Sequence, residues 1–237
     1  MQVAIVKYNA GNIYSVVNAL RRLGVEPLLT DDPEQLQKAD RVLFPGQGEA
    51  RGAMEYLKAH RLDEVIRSLR QPVFGICVGQ QLLCKHSEEG DVDCIGIFDA
   101  EVKRFSPIRH EDKVPCMGWN RVRCAQDERL EMRDERLEMR DERFFDLKVQ
   151  SDLRVEREMR DERLEMRNEK LFEGLCDPYV YFVHSYYVPI CEETVAVADY
   201  ILPYSAAMHK DNFYACQFHP EKSGKAGERI IKNFLEL

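Results

Sequence analysis

The stretch Phe74-Gly75-Ile76-Cys77-Val78-Gly79-Gln80-Gln81-Leu82-Leu83 sets one cysteine between an apolar strand and a helix, with a glycine two positions to either side. This is the form of a nucleophile elbow, a strained turn that lifts a reactive side chain clear of a sheet, and Gly75 and Gly79 leave room for it. A helix that starts at Val78 also favours a thiolate, because unpaired backbone N–H groups and the helix dipole stabilise negative charge. The plainer reading of Cys77 is a buried cysteine at an ordinary strand end. A second group lies 142 residues further on, in Ala215-Cys216-Gln217-Phe218-His219-Pro220-Glu221-Lys222-Ser223-Gly224. There a histidine and a glutamate two apart, braced by proline after a strand, can set an imidazole beside the cysteine and a carboxylate behind the imidazole. A His-x-Glu pair alone is more often a surface coincidence. With the elbow it specifies covalent catalysis, with Cys77 as nucleophile, His219 as base and Glu221 as orienter.

These groups must be carried by a frame, and the first hundred residues alternate strand and helix signals as a parallel sheet with crossover helices does. Strands are predicted at Val3 to Val6, Val25 to Leu29, Arg41 to Phe44 and Pro72 to Ile76, the last running straight into Cys77. Asn12 precedes a helix carrying Ile13, Val16, Val17, Leu20 and Leu23, with Gly24 as its stop. A second amphipathic helix is predicted over Ala53 to Leu69. Later come more exposed strands at Tyr179 to Val183, Val195 to Tyr200 and Phe213 to Phe218, and a closing helix at Ile230 to Leu235. The expected fold class is α/β: an open, mostly parallel sheet flanked by helices, with antiparallel additions late in the chain.

With 237 residues and 44% apolar content, the chain can bury one good core, and a single domain over 1–237 is expected. A formal charge of −8 disfavours nucleic acid and anionic membrane as partners, because both would be repelled. The apolar run at the N-terminus turns polar at Tyr8, too early for a signal peptide or a membrane span, so a cytoplasmic location is expected. The eight cysteines form no C-x-x-C pair and have no histidine at zinc-ligand spacing. Apart from Cys77 they read as small buried hydrophobes, and no metal or other cofactor is expected. A charged insertion interrupts the domain at about 127–170, where Asp-Glu-Arg-Leu-Glu-Met-Arg repeats from Asp127, Asp134 and Asp161. Of these 44 residues 16 are acidic and 12 basic, which leaves the other 193 with a net charge of −4. Leu130 and Met132, two apart, fall on nearly opposite helix faces, so the repeat is no coiled-coil seam. A solvated insertion, helical or partly disordered, is expected rather than a partner-binding arm.

The motifs G-x-C-x-G-x-Q over Gly75 to Gln81 and H-P-E over His219 to Glu221 resemble those of the class I, triad-type glutamine amidotransferases, which are flavodoxin-like. Within that family the chain is most similar to the glutaminase subunits of imidazole glycerol phosphate synthases. This closer resemblance rests on Lys7 to Asn12, Phe44-Pro45-Gly46-Gln47-Gly48, Met117-Gly118-Trp119-Asn120, Tyr181-Phe182-Val183-His184-Ser185-Tyr186-Tyr187 and Gln217 to Gly224. It implies that Cys77 attacks the side-chain amide of glutamine to leave a glutamyl thioester, His219 passes the thiol proton to departing ammonia, and Glu221 holds the ring. The oxyanion donors it implies are the backbone of Val78 and a peptide within Gly46, Gln47 and Gly48. Gln81, Glu89, Ser185 and Tyr186 would hold the amino-acid head, although Glu89 also reads as a solvated carboxylate. The implied partner is a (β/α)₈-barrel cyclase in a heterodimer, which uses the ammonia to make imidazole glycerol phosphate and an aminoimidazole carboxamide ribotide in histidine biosynthesis. Asn12, Trp119, Tyr181 and Lys222 are the residues expected to touch it, their plainer reading being loop polar and core aromatic residues.

The chain departs from the family pattern at Val78, Gln80, Cys116, Cys216 and Gln47, without loss of a catalytic group. Two other functions stay open on the sequence: a paralogue feeding ammonia to a different synthase, and a pseudo-glutaminase that binds without turnover.

Overall fold

The structure is a computed structural model that describes residues 1–8, 13–46, 48–124 and 170–237. Asn12, Gln47 and the expected insertion, apart from Lys170, lie outside the described residues. The first half contains β1 (Val3–Val6), α1 (Tyr14–Arg22), β2 (Leu28–Thr30), α2 (Pro33–Lys38), β3 (Arg41–Gly46), α3 (Ala50–Ala59), α4 (Leu62–Ser68), β4 (Val73–Cys77) and α5 (Val78–Leu83). Short strands β5 (His86–Ser87), β6 (Val92–Asp93) and β7 (Glu101–Arg104) lead to β8 (Cys116–Arg121) and β9 (Arg123–Cys124). The last part holds β10 (Tyr179–His184), β11 (Tyr186–Tyr187), β12 (Thr194–Tyr200), β13 (Leu202–Lys210), β14 (Phe213–Cys216), a 3₁₀ turn at Pro220–Lys222, and α6 (Gly224–Glu236).

Eight strands form the main sheet in the order β2-β1-β3-β4-β14-β13-β12-β9. Neighbours from β2 to β14 pair in parallel, whereas β14, β13, β12 and β9 pair antiparallel. The sequence accounts for this division. Val3–Val6 and Val73–Cys77 are buried at every position, as strands covered on both faces by crossover helices must be. α6 closes over β4 and β14 through Phe234, whose ring lies 5.1 Å from that of Phe74. Two smaller sheets, β10-β8 and β11-β7-β5-β6, lie outside the main one. No helix among the described residues is long and apolar enough to cross a membrane.

Several boundaries differ from those expected. The helix over Ala53 to Leu69 is two helices, because Arg61 adopts φ 55° between α3 and α4 and a right-handed helix cannot pass through it. β2 is shorter than Val25 to Leu29, starting only at Leu28. β3 continues through Pro45 and Gly46, which brings Gly46 into register with Cys77. β13 was not anticipated, yet it is the nine-residue strand that joins β14 to β12.

The junction of β3, β4 and α5 is the tightest point near the site. A β-carbon added at Gly79 would stand 1.9 Å from the carbonyl oxygen of Phe44, and one at Gly46 would stand 2.5 Å from the Gly79 nitrogen. Gly79→Ala is therefore expected to destabilise the fold by about 3 kcal/mol, since neither backbone can retreat without opening the sheet. Chemical denaturation measures this directly, and wild-type stability would show that the close approach constrains nothing.

Candidate active site

Cys77 ends β4 and begins α5 with φ 56° and ψ −111°, a backbone conformation rarely adopted by a residue with a side chain. Such a residue costs about 1–3 kcal/mol and persists only where its surroundings enforce it. Here the parallel pairing of β4 with both β3 and β14 fixes the strand end, and the Gly79 contact fixes the first turn of α5. The side chain opens onto a cleft of about 330 Å³ that is also lined by Gly48, Val78, Gln81, Glu89, Pro115, Val183, His184, Ser185, Tyr186 and Lys222.

His219 and Glu221 come from the turn after β14. The imidazole Nδ1 lies 2.8 Å from Glu221 Oε1, and both side chains are almost fully buried. A carboxylate only accepts, so Nδ1 carries the proton and Nε2 is left for the cysteine. Nε2 makes no hydrogen bond in this geometry, but it stands close enough to Cys77 for the sulfur to act on the ring. Burial alone would lower the His219 pKa. The interactions with Cys77 and then Glu221 outweigh it and push the value up to about 10. The turn is held from behind: His219 N–H donates to Tyr181 O at 2.9 Å, Tyr181 N–H to Ser223 Oγ at 2.9 Å, and Ser223 Oγ–H to His219 O at 2.6 Å.

The residues expected at the amino-acid head converge on the same cleft. Gln81 Nε2 donates to Tyr186 O at 3.2 Å, and Glu89 Oε2 accepts from Ala50 N–H at 2.9 Å, where α3 begins. Burial raises the Glu89 pKa, against the lowering effect of that N–H. The Ser185 carbonyl accepts from Phe105 N–H at 3.0 Å. Val78 and Gly48 lie along the wall, while Gly46 sits behind it beside Cys77. Of the residues expected at a partner surface, Lys222 also lines the cleft. Trp119 is 55% exposed on β8, opposite Tyr181 on β10, with ring centroids 6.1 Å apart.

Three further residues of the site lie in the motif segments but carry no role that the sequence assigns. His184 is buried, which lowers its pKa to about 4 despite the hydrogen bond to Tyr186, and the nearby His219 lowers it further. It is neutral, donating from Nδ1 to Tyr186 O at 2.7 Å while Nε2 faces the Tyr204 hydroxyl at 3.3 Å. Gln217 is wholly buried and directs Nε2 at the Cys77 sulfur, 3.7 Å away. Tyr8 donates its buried hydroxyl to Pro45 O at 2.7 Å, bracing the strand beside Cys77. The available signal was a polar or aromatic residue at or just past the end of an apolar strand.

Both neighbours of His219 favour its charged form, so removing either leaves less to oppose burial. Glu221→Gln and Cys77→Ala are each expected to lower the His219 pKa by more than about one unit. NMR titration of the imidazole reads this, and an unchanged midpoint in both variants would contradict the electrostatic account.

The profile of the Glutamine amidotransferase class-I family matches residues 4–237. The chain is 54% identical, over the whole of both sequences, to "Imidazole glycerol phosphate synthase subunit HisH" of Bacteroides thetaiotaomicron. It is 36% identical over the full length of the protein of the same name from Escherichia coli strain K12. Among solved structures, a putative GMP synthase subunit from Thermoplasma acidophilum superposes with TM-score 0.62 at 19% identity, covering 100% of this chain and 93% of that one. A PurLQS structure from Thermotoga maritima gives TM-score 0.61 at 14% identity, covering 99% of this chain and 97% of that one, and both show the shared fold. With a mixed sheet flanked by helices, a profile match from end to end and full-length identity above half, the chain belongs to the class I glutamine amidotransferases, in their HisH group of imidazole glycerol phosphate synthase subunits.

Proposed function

We propose that this chain is the glutaminase subunit of an imidazole glycerol phosphate synthase, hydrolysing glutamine at Cys77 and delivering the ammonia to a cyclase subunit. The observation that carries the reading is the buried His219–Glu221 pair, set against a positive-φ cysteine at the wall of a cleft sized for an amino acid. His219 takes the thiol proton, and the sulfur attacks the side-chain carbonyl carbon of glutamine. As the tetrahedral intermediate collapses, the imidazolium gives its proton to the departing nitrogen, leaving a γ-glutamyl thioester and ammonia. His219 then activates a water that cleaves the thioester, and glutamate leaves with the thiol restored. Glu221 keeps the imidazole in the tautomer that aims Nε2 at the sulfur and stabilises its charged form. The Val78 N–H and a peptide within Gly46, Gln47 and Gly48, after β3, are the donors for the oxyanion. Gln81, Glu89 and the Ser185–Tyr186 segment hold the amino-acid head.

Ammonia released into water would be protonated and lose its nucleophilicity, so the site is productive only when docked on an acceptor. We assign that role to a (β/α)₈-barrel cyclase in a heterodimer. The β8–β10 ribbon supports this: Met117 and Trp119 are exposed on β8 and pair with Val183 and Tyr181 on β10, while Phe182 and His184 point to the core. An apolar strip beside the cleft mouth and Lys222 is suited to a partner rather than to water. Cys77→Ala is expected to reduce glutamine-dependent synthesis by the complex at least about 10⁴-fold, while synthesis from added ammonium salts is retained. Equal loss of both activities would overturn the assignment.

A further inference from the structure

The Cys77 sulfur, Gln217, Gln81 and the Tyr186 carbonyl form one continuous chain of hydrogen bonds. Gln217 Nε2 donates to the sulfur at 3.7 Å, and Gln217 Oε1 accepts from Gln81 Nε2 at 3.0 Å. The second N–H of Gln81 goes to the Tyr186 carbonyl at 3.2 Å, which the neutral His184 already holds at 2.7 Å. Gln217 is 0% exposed and Gln81 2%, so no solvent competes for either amide.

The direction of this chain is fixed by chemistry. A thiolate and a carbonyl accept but cannot donate. Gln217 must therefore turn its NH₂ to the sulfur and its oxygen to Gln81. Gln81 in turn spends both N–H groups on Gln217 and Tyr186. The atom left for the cleft that Gln81 lines is its carbonyl oxygen, an acceptor. Reversing either amide would set oxygen against sulfur, or NH₂ against NH₂, in a buried site. An acceptor there suits the α-ammonium group of an amino acid and rejects a negatively charged one.

We infer that Gln217 is a positioning residue that ties the thiolate of Cys77 to the orientation of Gln81, so that the reactive nucleophile and the acceptor for the substrate ammonium are set by one relay. This rests on Cys77 being the nucleophile of a glutamine-binding site. The Tyr186 carbonyl at one end and the sulfur at the other hold the relay in one sense, and the relay so held presents the Gln81 oxygen to the cleft. Gln217 lies behind the residues that line the cleft and acts through its two neighbours. Its backbone N–H, bonded to Ala206 O at 2.9 Å, anchors it two residues before His219.

The test is alkylation of the full-length protein by iodoacetamide at neutral pH, quantified on the Cys77 peptide, with and without glutamine as protectant. Gln217→Met removes both hydrogen bonds. It is expected to slow alkylation at neutral pH roughly tenfold and to raise the protecting glutamine concentration about tenfold. Gln217→Glu still offers Gln81 an oxygen but adds a competing acid beside the sulfur. It is expected to slow alkylation while protection stays at the wild-type concentration. A residue that merely fills space would not divide the two readouts in this way, and either variant decides if the other fails to fold. Wild-type alkylation rates in both variants, or in the one that folds, would overturn the relay. If wild-type Cys77 is alkylated no faster than the exposed Cys176, or glutamine gives no protection, the glutaminase reading falls and the relay with it.

Discussion

The site depends on a single backbone compromise, the positive φ of Cys77 at the junction of β4 and α5. A residue with a side chain accepts this conformation only when neighbouring backbone leaves no alternative. The enforcement comes from the centre of the sheet, where β4 is paired on both sides, and from the contact of α5 against β3 at Gly79. The order β2-β1-β3-β4-β14 matters for the same reason: it lays the end of β14, and hence the His219 turn, next to the end of β4. Cys77 and the His219 imidazole, far apart in the chain, thus lie at neighbouring strand ends near the centre of one sheet.

Around that junction the polar groups are paired so as to leave specific atoms available. His219 commits Nδ1 to Glu221 and keeps Nε2; Gln81 commits its amide hydrogens and keeps its oxygen. His184, held neutral by burial, supports Tyr186 without adding a second positive charge beside His219. The β8–β10 ribbon is mechanically part of this arrangement, because Tyr181 accepts from the His219 backbone and donates to Ser223. Displacement of β10 by a docked partner would be felt at the imidazole.

Much of this frame was legible in the residues. β1 and β4 are continuous apolar runs that parallel pairing requires, and the glycines flanking Cys77 announced a tight turn. β13 was not legible, because Leu-Pro-Tyr-Ser-Ala-Ala-Met-His-Lys carries none of the β-branched residues that mark a strand, and small side chains suffice between β12 and β14. The break at Arg61 was hidden because Ala53, Met54 and Leu57 before it, and Leu62, Ile66 and Leu69 after it, each keep helical spacing of core-facing residues, and only the step of five from Leu57 to Leu62 marks it. Of the site, the Cys77, His219 and Glu221 motifs stood out by spacing, while Gln217 and His184 stood within recognisable segments that assigned neither a role. Their partners are distant, Gln81 and Gln217 being separated by 136 residues, and only the fold brings them together.

The central claim is that Cys77 carries the acyl group between ammonia release and glutamate release. The most direct measurement is acid quench of the complex of this chain with its cyclase partner during glutamine turnover, followed by peptide mapping. The account predicts a γ-glutamyl thioester on the Cys77 peptide and on no other cysteine. Glutamine turnover with no acyl group at Cys77, or with the group on another residue, would contradict it.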